Sequence, residues 1–369
     1  MHKALSKSKI ERLSVSTYTV PTETEEADGT FIWSKTTMVL VEVTAEGRVG
    51  LGYTYADRAA AVLIGDTLRS EVLGSDPVNV TAIWAGMCRL VRNLGNAGLT
   101  AMAISAVDVA LWDLKARLLE LPLVSLLGQL RGALPIYGSG GFCNYSNEQL
   151  AEQLGGWVKA GIPRVKMKIG RDATADISRV QAARDAIGPE TELFVDANGA
   201  YTVKEALAQA ERFTAEARVS WFEEPVSSDD LAGLALLRER VPAGMEVAAG
   251  EYGFELGYFR RMLEAGAVDV LQADVTRCRG ITGILQVAAL CDAFHVPLSA
   301  HCAPSLHVHP GCAASRLRHA EYFFDHVRIE RLFFEGVPEP KNGGLHPDLT
   351  QPGLGLTLKR PDAERYRQD

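Results

Sequence analysis

Short apolar runs that end in a charged residue recur through the middle of the chain. In the segment ELFVDANG, residues 192–199, four strand-forming residues lead into Asp196 and a turn. Taken alone, Asp196 is more often a helix N-cap or a turn residue. The residues that end the related runs, however, follow one another at roughly 25 residues, which is the length of one strand plus one crossover helix. They are Lys168, Glu223, Glu251, Asp274 and His301.

Strands and helices that alternate at this interval predict a closed barrel. Parallel strands joined by right-handed crossovers form a (β/α) barrel, and the carboxyl ends of the strands then share one rim. Helical patterns at 204–216 and 280–294 lie between the predicted strands. The charged side chains are therefore predicted to converge at the rim.

The chain is longer than such a barrel needs. It has 369 residues, whereas the barrel takes about 250, so a second domain is expected. Residues 1–132 are predicted to form an α+β domain, residues 133–335 the barrel, and residues 336–369 an irregular segment that returns to the first domain. The elements predicted in the first domain are a strand at 10–20, a charged loop at 22–29, a hairpin of strands 36–43 and 49–55 that turns at Gly47, and a helix at 101–119. The first barrel strand is predicted at 135–142.

Composition and charge limit the possible partners. A hydrophobic fraction of 47% predicts an ordinary globular core, and the net charge of −8 leaves no basic surface for a nucleic acid. The N-terminal residues lack the apolar stretch of a signal peptide, and no run approaches the roughly 18 apolar residues of a membrane span. We therefore expect a cytoplasmic protein without a nucleic-acid or membrane partner. Six cysteines without a C-x-x-C pair predict reduced thiols, with Cys302 a weak candidate for a nucleophile.

Lys166 and Lys168 are two positions apart on one predicted strand and so share a face. Two neighbouring ammonium groups disfavour each other's protonation, and a nearby metal adds to this effect, so Lys168 could be neutral near physiological pH and act as a base. The alternative is a solvated strand end that carries two surface lysines. The sequence alone leaves both interpretations open.

Asp196, Glu223 and Glu251 end three successive predicted strands. Three converging carboxylates repel one another, and a divalent cation is the simplest compensation. Hard oxygen ligands suit Mg²⁺, which leaves its remaining positions to substrate and water. Glu224 is predicted to point to the opposite face from Glu223 and to be structural.

Asp274 and His301 end adjacent predicted strands. The carboxylate could accept a hydrogen bond from one imidazole nitrogen, which fixes the tautomer and makes the other nitrogen more basic. The pair is therefore predicted to act as a second base. The other histidines lack this spacing.

With these residues in place, the sequence resembles the enolase superfamily and, within it, the mandelate racemase subgroup. The resemblance covers nearly the whole chain and rests on the order and spacing of short motifs. They are AISAVDVALWDLKAR at 103–117, K-x-K at 166–168, D-x-N at 196–198, E-E-P at 223–225, G-E at 250–251, Asp274 followed by GITG, His301, and Glu321. Muconate-lactonising relatives would carry a lysine near Asp274, where this chain has a histidine dyad instead.

The resemblance implies a modified TIM barrel, (β/α)7β, capped by the α+β N-terminal domain, and a homo-oligomer. It implies one Mg²⁺ per active site on Asp196, Glu223 and Glu251. Lys168 would be one base and the Asp274–His301 dyad the other, on opposite faces of the substrate. Lys166 would neutralise the substrate carboxylate, and Glu321, if protonated, would hydrogen-bond the enolate. Asn198 is assigned with these two residues to substrate binding.

The activity that the resemblance implies is removal of the proton α to a carboxylate through an ene-diolate. The leading hypothesis is a lyase that dehydrates a sugar acid to a 2-keto-3-deoxy acid. The second is an isomerase, a racemase or epimerase of a 2-hydroxy acid. A non-catalytic binding protein would require the rim residues to be lost, and every position is filled.

The segment at 22–29 is rich in acidic residues, which a doubly negative substrate would disfavour. As a loop closing over the site, it would bring Glu23, Glu25, Glu26 and Asp28 towards the substrate. This composition disfavours a diacid, unless the acids at a loop tip simply face water.

Overall fold

Three long antiparallel strands form the N-terminal sheet in the computed structural model, which describes residues 8–368. They are β1 (Arg12–Ala27), β2 (Ile32–Ala45) and β3 (Arg48–Tyr55). β2 and β3 are the predicted hairpin, and Glu46 and Gly47 take φ values of 48° and 71° at its turn. Two successive positive φ angles match the twist of the flanking strands, which explains the glycine.

The prediction of a loop at 22–29 is wrong for most of these residues. β1 continues through Ala27, and after a register irregularity it pairs again with β2, Glu26 opposite Trp33 and Ala27 opposite Ile32. The composition of the segment resembles a loop, but pairing with β2 holds it extended, since strand preference depends strongly on context. Only residues 28–31, which we call the hairpin tip, connect the two strands without regular pairing.

Five α-helices follow the sheet. They are α1 (Ala59–Leu63), α2 (Arg69–Val72), α3 (Val80–Leu90), α4 (Leu99–Leu118) and α5 (Leu123–Leu127), with a π-helical turn at Ile64–Leu68 and a 3-10 turn at Val91–Asn93. α4 is the helix predicted at 101–119. It is buried on nearly all sides because it lies between the N-terminal sheet and a helix of the second domain.

Eight parallel strands close into the predicted barrel. They are β4 (Leu134–Gly140), β5 (Arg164–Lys168), β6 (Glu192–Asp196), β7 (Val219–Glu223), β8 (Glu246–Ala249), β9 (Val270–Ala273), β10 (Leu298–Ala300) and β11 (Leu317–Phe323). Each strand pairs with its neighbours in the chain, and β11 pairs with β4 to close the barrel. The expected fold class is therefore confirmed.

Seven helices connect these strands in order, as a (β/α)7β barrel requires. They are α6 (Asn147–Lys159), α7 (Asp176–Ile187), α8 (Val203–Ala217), α9 (Leu231–Arg240), α10 (Leu256–Glu264), α11 (Gly280–Phe294) and α12 (Pro304–Ala313). α8 and α11 are the helices predicted at 204–216 and 280–294. Capping boxes begin α6, with Ser146 and Gln149, and α8, with Thr202 and Glu205.

The C-terminal segment contacts both domains. It follows α13 (Phe324–Phe333) and β12 (Phe334–Glu335), and its elements are β13 (Gly344–Leu345), β14 (Thr357–Leu358), α14 (Arg360–Ala363), a 3-10 turn at Glu364–Tyr366 and β15 (Arg367–Gln368). β13 pairs with β4 of the barrel, and β15 pairs with β1 of the N-terminal sheet. Within residues 8–368, no helix is both long enough and apolar enough to cross a membrane.

Candidate active site

An aromatic layer fills the barrel beneath its charged residues. The rings of Tyr137, Phe194 and Trp221 have centroids 5.1 to 6.3 Å apart. Lys166 Nζ lies 5.5 Å from the centroid of the Tyr137 ring. The first charged side chain of the site therefore rests directly on the apolar core.

Both lysines of the K-x-K segment are buried in the barrel. Lys166 Nζ donates a hydrogen bond to Glu223 Oε1 at 2.5 Å and lies 2.8 Å from Glu321 Oε1 and 3.3 Å from Asp196 Oδ2. Lys168 Nζ donates to Asp196 Oδ2 at 2.5 Å. The strand register explains these contacts, because it places Lys168 opposite Asp196 and Asp196 opposite Glu223. The alternative of two surface lysines is excluded.

The protein groups alone favour the ammonium form of Lys168, while the expectation of a neutral Lys168, which also counted a nearby metal, stays a prediction. Burial alone would lower the pKa of both lysines, but the carboxylates outweigh it. Asp196 raises the pKa of Lys168, and Glu223 and Glu321 raise that of Lys166. Each lysine has a carboxylate oxygen 2.5 Å away, which the expectation did not include.

Asp196, Glu223 and Glu251 form one buried cluster, in which one oxygen of each lies within 4.8 Å of the others. Burial, followed by Asp196, raises the pKa of Glu223 to about 8, so the carboxylates are poorly compensated by protein groups alone. Glu251 Oε2 is buried and lies 3.2 Å from His301 Nε2, but no described residue donates a well-formed hydrogen bond to it. Mg–O bonds of 2.0–2.1 Å place two ligand oxygens up to about 4.2 Å apart. The donor set therefore fits Mg²⁺ with only small side-chain adjustments.

Glu224 does not follow the alternation that predicted a separate structural role. β7 ends at Glu223, and Glu224 takes a φ of 38°, so strand alternation no longer sets its direction. It is buried, and burial followed by Glu251 raises its pKa. Glu224 is thus within electrostatic range of the three-carboxylate cluster.

Asp274 and His301 follow β9 and β10 and form the predicted hydrogen bond, with 2.8 Å between His301 Nδ1 and Asp274 Oδ2. Asp274 Oδ1 accepts from both N and Oγ1 of Thr276 at 2.7 Å, which fixes the carboxylate. Burial would raise the pKa of Asp274, but His301 lowers it to about 2. Burial would lower the pKa of His301, whereas Cys302 and Glu251 raise it.

Glu321 lies between the lysines and the histidine dyad. Its Oε1 accepts from Ser139 Oγ at 2.6 Å, its Oε2 accepts from Cys302 N at 3.0 Å, and His301 Nε2 is 3.6 Å from Oε2. Burial would raise the pKa of Glu321, but Lys166 and then His301 lower it. The expectation of a protonated Glu321 is therefore wrong for the side chains as they stand, because the adjacent lysine outweighs burial and the neighbouring acids.

Cys302 is buried with its Sγ 3.3 Å from His301 Nε2. Burial, followed by Glu321, raises the pKa of the Cys302 thiol. A nucleophilic cysteine requires a lowered pKa, so its environment opposes this function.

Arg277 belongs to the site but was not predicted. Its Nη1 donates to Glu251 O at 3.1 Å and lies 3.4 Å from Glu251 Oε1, and its Nε is 3.7 Å from Asp274 Oδ2. The guanidinium lies 5.4 Å from the centroid of the Tyr252 ring. The available signal was its place three residues after Asp274 in the same rim loop.

A cavity of about 280 Å³ joins these groups to residues of the N-terminal domain. The barrel contributes Lys168, Asn198, Glu251, Tyr252, Arg277, His301, Cys302 and Glu321, together with Phe323 and His326. The β1–β2 hairpin contributes Asp28, Thr30, Phe31, Trp33 and Thr36. Asp28 belongs to the segment that the family resemblance expected over the site, whereas Thr30, Phe31, Trp33 and Thr36 were not predicted, because only the tertiary fold brings them over the rim.

Two domain profiles match the chain. The profile described as the mandelate racemase / muconate lactonizing enzyme N-terminal domain matches residues 15–128, and the profile described as enolase C-terminal domain-like matches residues 149–363.

Curated relatives include both isomerases and lyases. The 3,6-anhydro-alpha-L-galactonate cycloisomerase of Streptomyces coelicolor is 34% identical over 325 residues, which cover 86% of this chain and 88% of the relative. The L-talarate/galactarate dehydratase of Salmonella typhimurium is 29% identical over 337 residues, which cover 90% of this chain and 82% of the relative.

Solved structures match over almost the whole chain. A mandelate racemase/muconate lactonizing enzyme-like protein from Rubrobacter xylanophilus has a TM-score of 0.96 and 54% identity, covering 98% of this chain and 100% of that one. A racemase from Streptomyces coelicolor, solved with bound magnesium, has a TM-score of 0.91 and 30% identity, covering 97% of this chain and 100% of that one.

Proposed function

The chain belongs to the mandelate racemase/muconate lactonizing enzyme family of the enolase superfamily, and from that premise we propose that it is a lyase that dehydrates a sugar acid to a 2-keto-3-deoxy acid. The observation that carries the proposal is the convergence of two separate proton-transfer groups on one cavity. These are Lys168 and the Asp274–His301 dyad, and both lie beside three buried carboxylates.

Asp196, Glu223 and Glu251 would hold Mg²⁺, which, when bound, supplies Lewis-acid stabilisation of the negative charge that develops on the substrate carboxylate. The close approach of one oxygen from each of the three buried carboxylates supports this assignment. The magnesium in the Streptomyces coelicolor racemase supports the choice of ion.

The chain's own groups divide the remaining work. Lys168 Nζ takes the α-proton as the neutral amine, a form that a cation on Asp196 would favour by compensating the carboxylate that now holds the ammonium. His301 Nε2, whose Nδ1 is tied to Asp274, delivers a proton to the departing β-hydroxyl. The two groups approach from different sides, because β11 and β4 lie between β10 and β5 in the barrel. Lys166 places a fixed positive charge where the substrate carboxylate binds. Its Nζ is 2.8 Å from Glu321, so the two can share a proton as charge develops on the enolate.

Racemisation or epimerisation of a 2-hydroxy acid is the second candidate. A base on each side of one carbon also serves proton removal from one face and return to the other. The likeness to the Streptomyces coelicolor racemase favours it. Both reactions pass through the ene-diolate and differ only in whether a hydroxyl leaves or a proton returns.

A panel of sugar acids and 2-hydroxy acids incubated in deuterated water tests the proposal. Wild type, Lys168→Ala and His301→Asn would be compared by NMR for α-deuterium uptake and 2-keto acid formation. We expect keto acid from wild type and a loss of about 10²- to 10⁴-fold in the rate for each variant. Deuterium uptake with inversion at the α-carbon, and no keto acid from any polyhydroxy acid, would establish the racemase instead.

A further inference from the structure

The β1–β2 hairpin of the N-terminal domain lines one end of the cavity. Thr30 Oγ1 donates to Asn198 O at 3.4 Å. A side chain at Gly29 would place its Cβ 2.4 Å from Ala197 O and 2.7 Å from Ile169 O. The hairpin tip is therefore docked on the backbone that follows β5 and β6, beside the three-carboxylate cluster.

Asp28 holds a fixed carboxylate at this end of the cavity. Its Oδ1 accepts from the backbone N–H groups of Thr30 and Phe31, each at 2.7 Å. Its Oδ2 receives no hydrogen bond from residues 8–368, and Asp28 lines the cavity. A second free acceptor is nearby, since the buried Asn198 Oδ1 also lacks a partner within the described chain. Free acceptors of this kind bind hydroxyl groups and repel a carboxylate.

Aromatic rings cover the rest of this end. Phe31 and Trp33 stack with centroids 6.3 Å apart and planes at 11°. Trp33 packs edge-on against Phe142 at 5.5 Å, and its Nε1 donates to Glu26 Oε2 at 2.8 Å, which fixes the indole. Such faces suit the C–H surface of a sugar chain and offer nothing to an anion.

The cations of the site are already paired. Lys166 contacts Glu223 and Glu321, Lys168 contacts Asp196, and Arg277 contacts Glu251 and Asp274. His326, which also lines the cavity, accepts a hydrogen bond from Ala303 N at its Nδ1. Among the described residues that line the cavity, no unpaired cation remains for a second substrate carboxylate. Such a group would lose its water and would lie beside Asp28.

We propose that the site selects aldonates, which are sugar acids with one carboxylate and a neutral hydroxylated far end, over aldarates, which carry a carboxylate at both ends. Asp28 is the discriminating residue: its Oδ2 accepts a hydrogen bond from a far-end hydroxyl and repels a far-end carboxylate. The inference rests on the proposed function for the reacting end of the substrate.

Binding without turnover tests this inference directly. In a Lys168→Ala/His301→Asn protein with Mg²⁺, calorimetry would give Kd for hexonates and for hexarates of the same configuration. We expect hexonates to bind at least about tenfold more tightly. Adding Asp28→Asn should bring the ratio towards one by tightening hexarate binding. Glu25→Gln removes the same charge from an exposed position of β1, three residues before Asp28, and should leave the ratio unchanged.

Equal or tighter binding of hexarates would overturn the inference, as would an Asp28→Asn variant that weakens both classes equally. Turnover by the wild-type protein separates this outcome from failure of the proposed function. Selective hexonate binding without keto acid formation from any hexonate would leave the inference standing and defeat the dehydratase. Keto acid formed from hexarates at the same kcat/KM as from hexonates would overturn the inference and leave the dehydratase standing. If neither class binds, both proposals fail.

Discussion

Lys166 is the residue on which the charge balance of the site depends. It is fully buried, stands over an aromatic ring and contacts three carboxylates. A buried charge is tolerated only where partners compensate it. The site holds seven carboxyl groups and four basic side chains, namely Asp196, Glu223, Glu224, Glu251, Asp274, Glu321 and Asp28 with Lys166, Lys168, Arg277 and His301. Because the carboxyl groups outnumber the basic groups, the site favours the binding of another cation.

At this scale we predict that Mg²⁺ stabilises the folded protein through Asp196. A ligand that binds only the folded state adds about 2.7 kcal/mol at a concentration of 100 Kd. Differential scanning calorimetry should therefore show that Tm rises with added Mg²⁺ and falls back when a chelator is added. Turnover, measured separately, should be lost with the chelator. Asp196→Asn should abolish the shift, whereas the exposed acid Asp172→Asn should preserve it. An undiminished shift in Asp196→Asn would place the ion elsewhere.

Among the secondary-structure elements, the sequence predicted those that the local pattern of apolar and charged residues determines. Apolar runs that end in Asp196 or Glu223 marked strand ends correctly, because a buried parallel strand must be apolar until it reaches the rim. Glu224 and the hairpin tip were not predictable in this way. Glu224 leaves the strand at a positive φ. The hairpin tip is positioned by the pairing of β1 with β2, and the register of this pairing cannot be read from the β1 sequence.

The charge states of the site were also beyond local pattern. The sequence predicted a neutral Lys168 and a protonated Glu321. The protonation state of each residue depends on which side chain lies closest to it in space. The barrel register places Asp196 against one and Lys166 against the other. Sequence spacing thus predicts which groups meet, but the sign of each pKa shift requires the distances.

For the docked hairpin we predict that Gly29→Ala opens the cavity. The added methyl group would overlap Ala197 O and Ile169 O, so the tip must lift and the contacts of Asp28 and Trp33 with substrate weaken. KM for the substrate should rise about tenfold with a smaller change in kcat, because binding contacts are lost and the proton-transfer groups stay in place. Gly65→Ala, where the added group meets nothing within 4 Å, is the control. Unchanged KM in Gly29→Ala would show that the tip is not part of the binding site.

For the whole molecule, the homo-oligomer stays a prediction that rests on family resemblance. Closed symmetric assemblies are the common form of soluble oligomers. Light scattering across micromolar concentrations should give a mass that is a whole multiple of the 40.0 kDa chain. A mass that remains at the monomer value throughout would refute it.

The two domains are joined by a helix cap that crosses between them. α11 of the barrel begins after Arg279, which is left-handed and provides no side-chain cap. Asp108 of α4 takes that role instead: its Oδ2 accepts from Thr282 N at 2.9 Å and its Oδ1 accepts from Thr282 Oγ1 at 2.7 Å. Trp112 Nε1 also donates to Thr282 Oγ1 at 2.9 Å. The first turn of α11 therefore depends on the N-terminal domain for its hydrogen bonds.

We accordingly predict that Asp108→Ala lowers the free energy of unfolding by about 2 kcal/mol, because it leaves a buried N–H group of α11 without an acceptor. Asp230→Ala, which removes a cap that α9 receives from its own N-terminal residue, should cost about 1 kcal/mol. Only Asp108→Ala should split the calorimetric transition, since only it weakens the contact between domains. A single unbroken transition in both variants would contradict this.

The same carboxyl group predicts a pH dependence of stability. Burial raises the pKa of Asp108 to about 7, although hydrogen bonds from Thr282 oppose the shift. Between the unfolded value of 3.8 and about 7, the folded protein keeps a proton that the unfolded chain releases. The contribution of Asp108 is therefore fully present below pH 3.8 and is lost as pH rises towards 7. Asp108→Asn keeps an acceptor but cannot titrate, so urea unfolding of this variant should show a flatter profile than wild type between pH 4 and 7. Parallel profiles would mean that Asp108 is ionised throughout, and that its hydrogen bonds with Thr282 outweigh its burial.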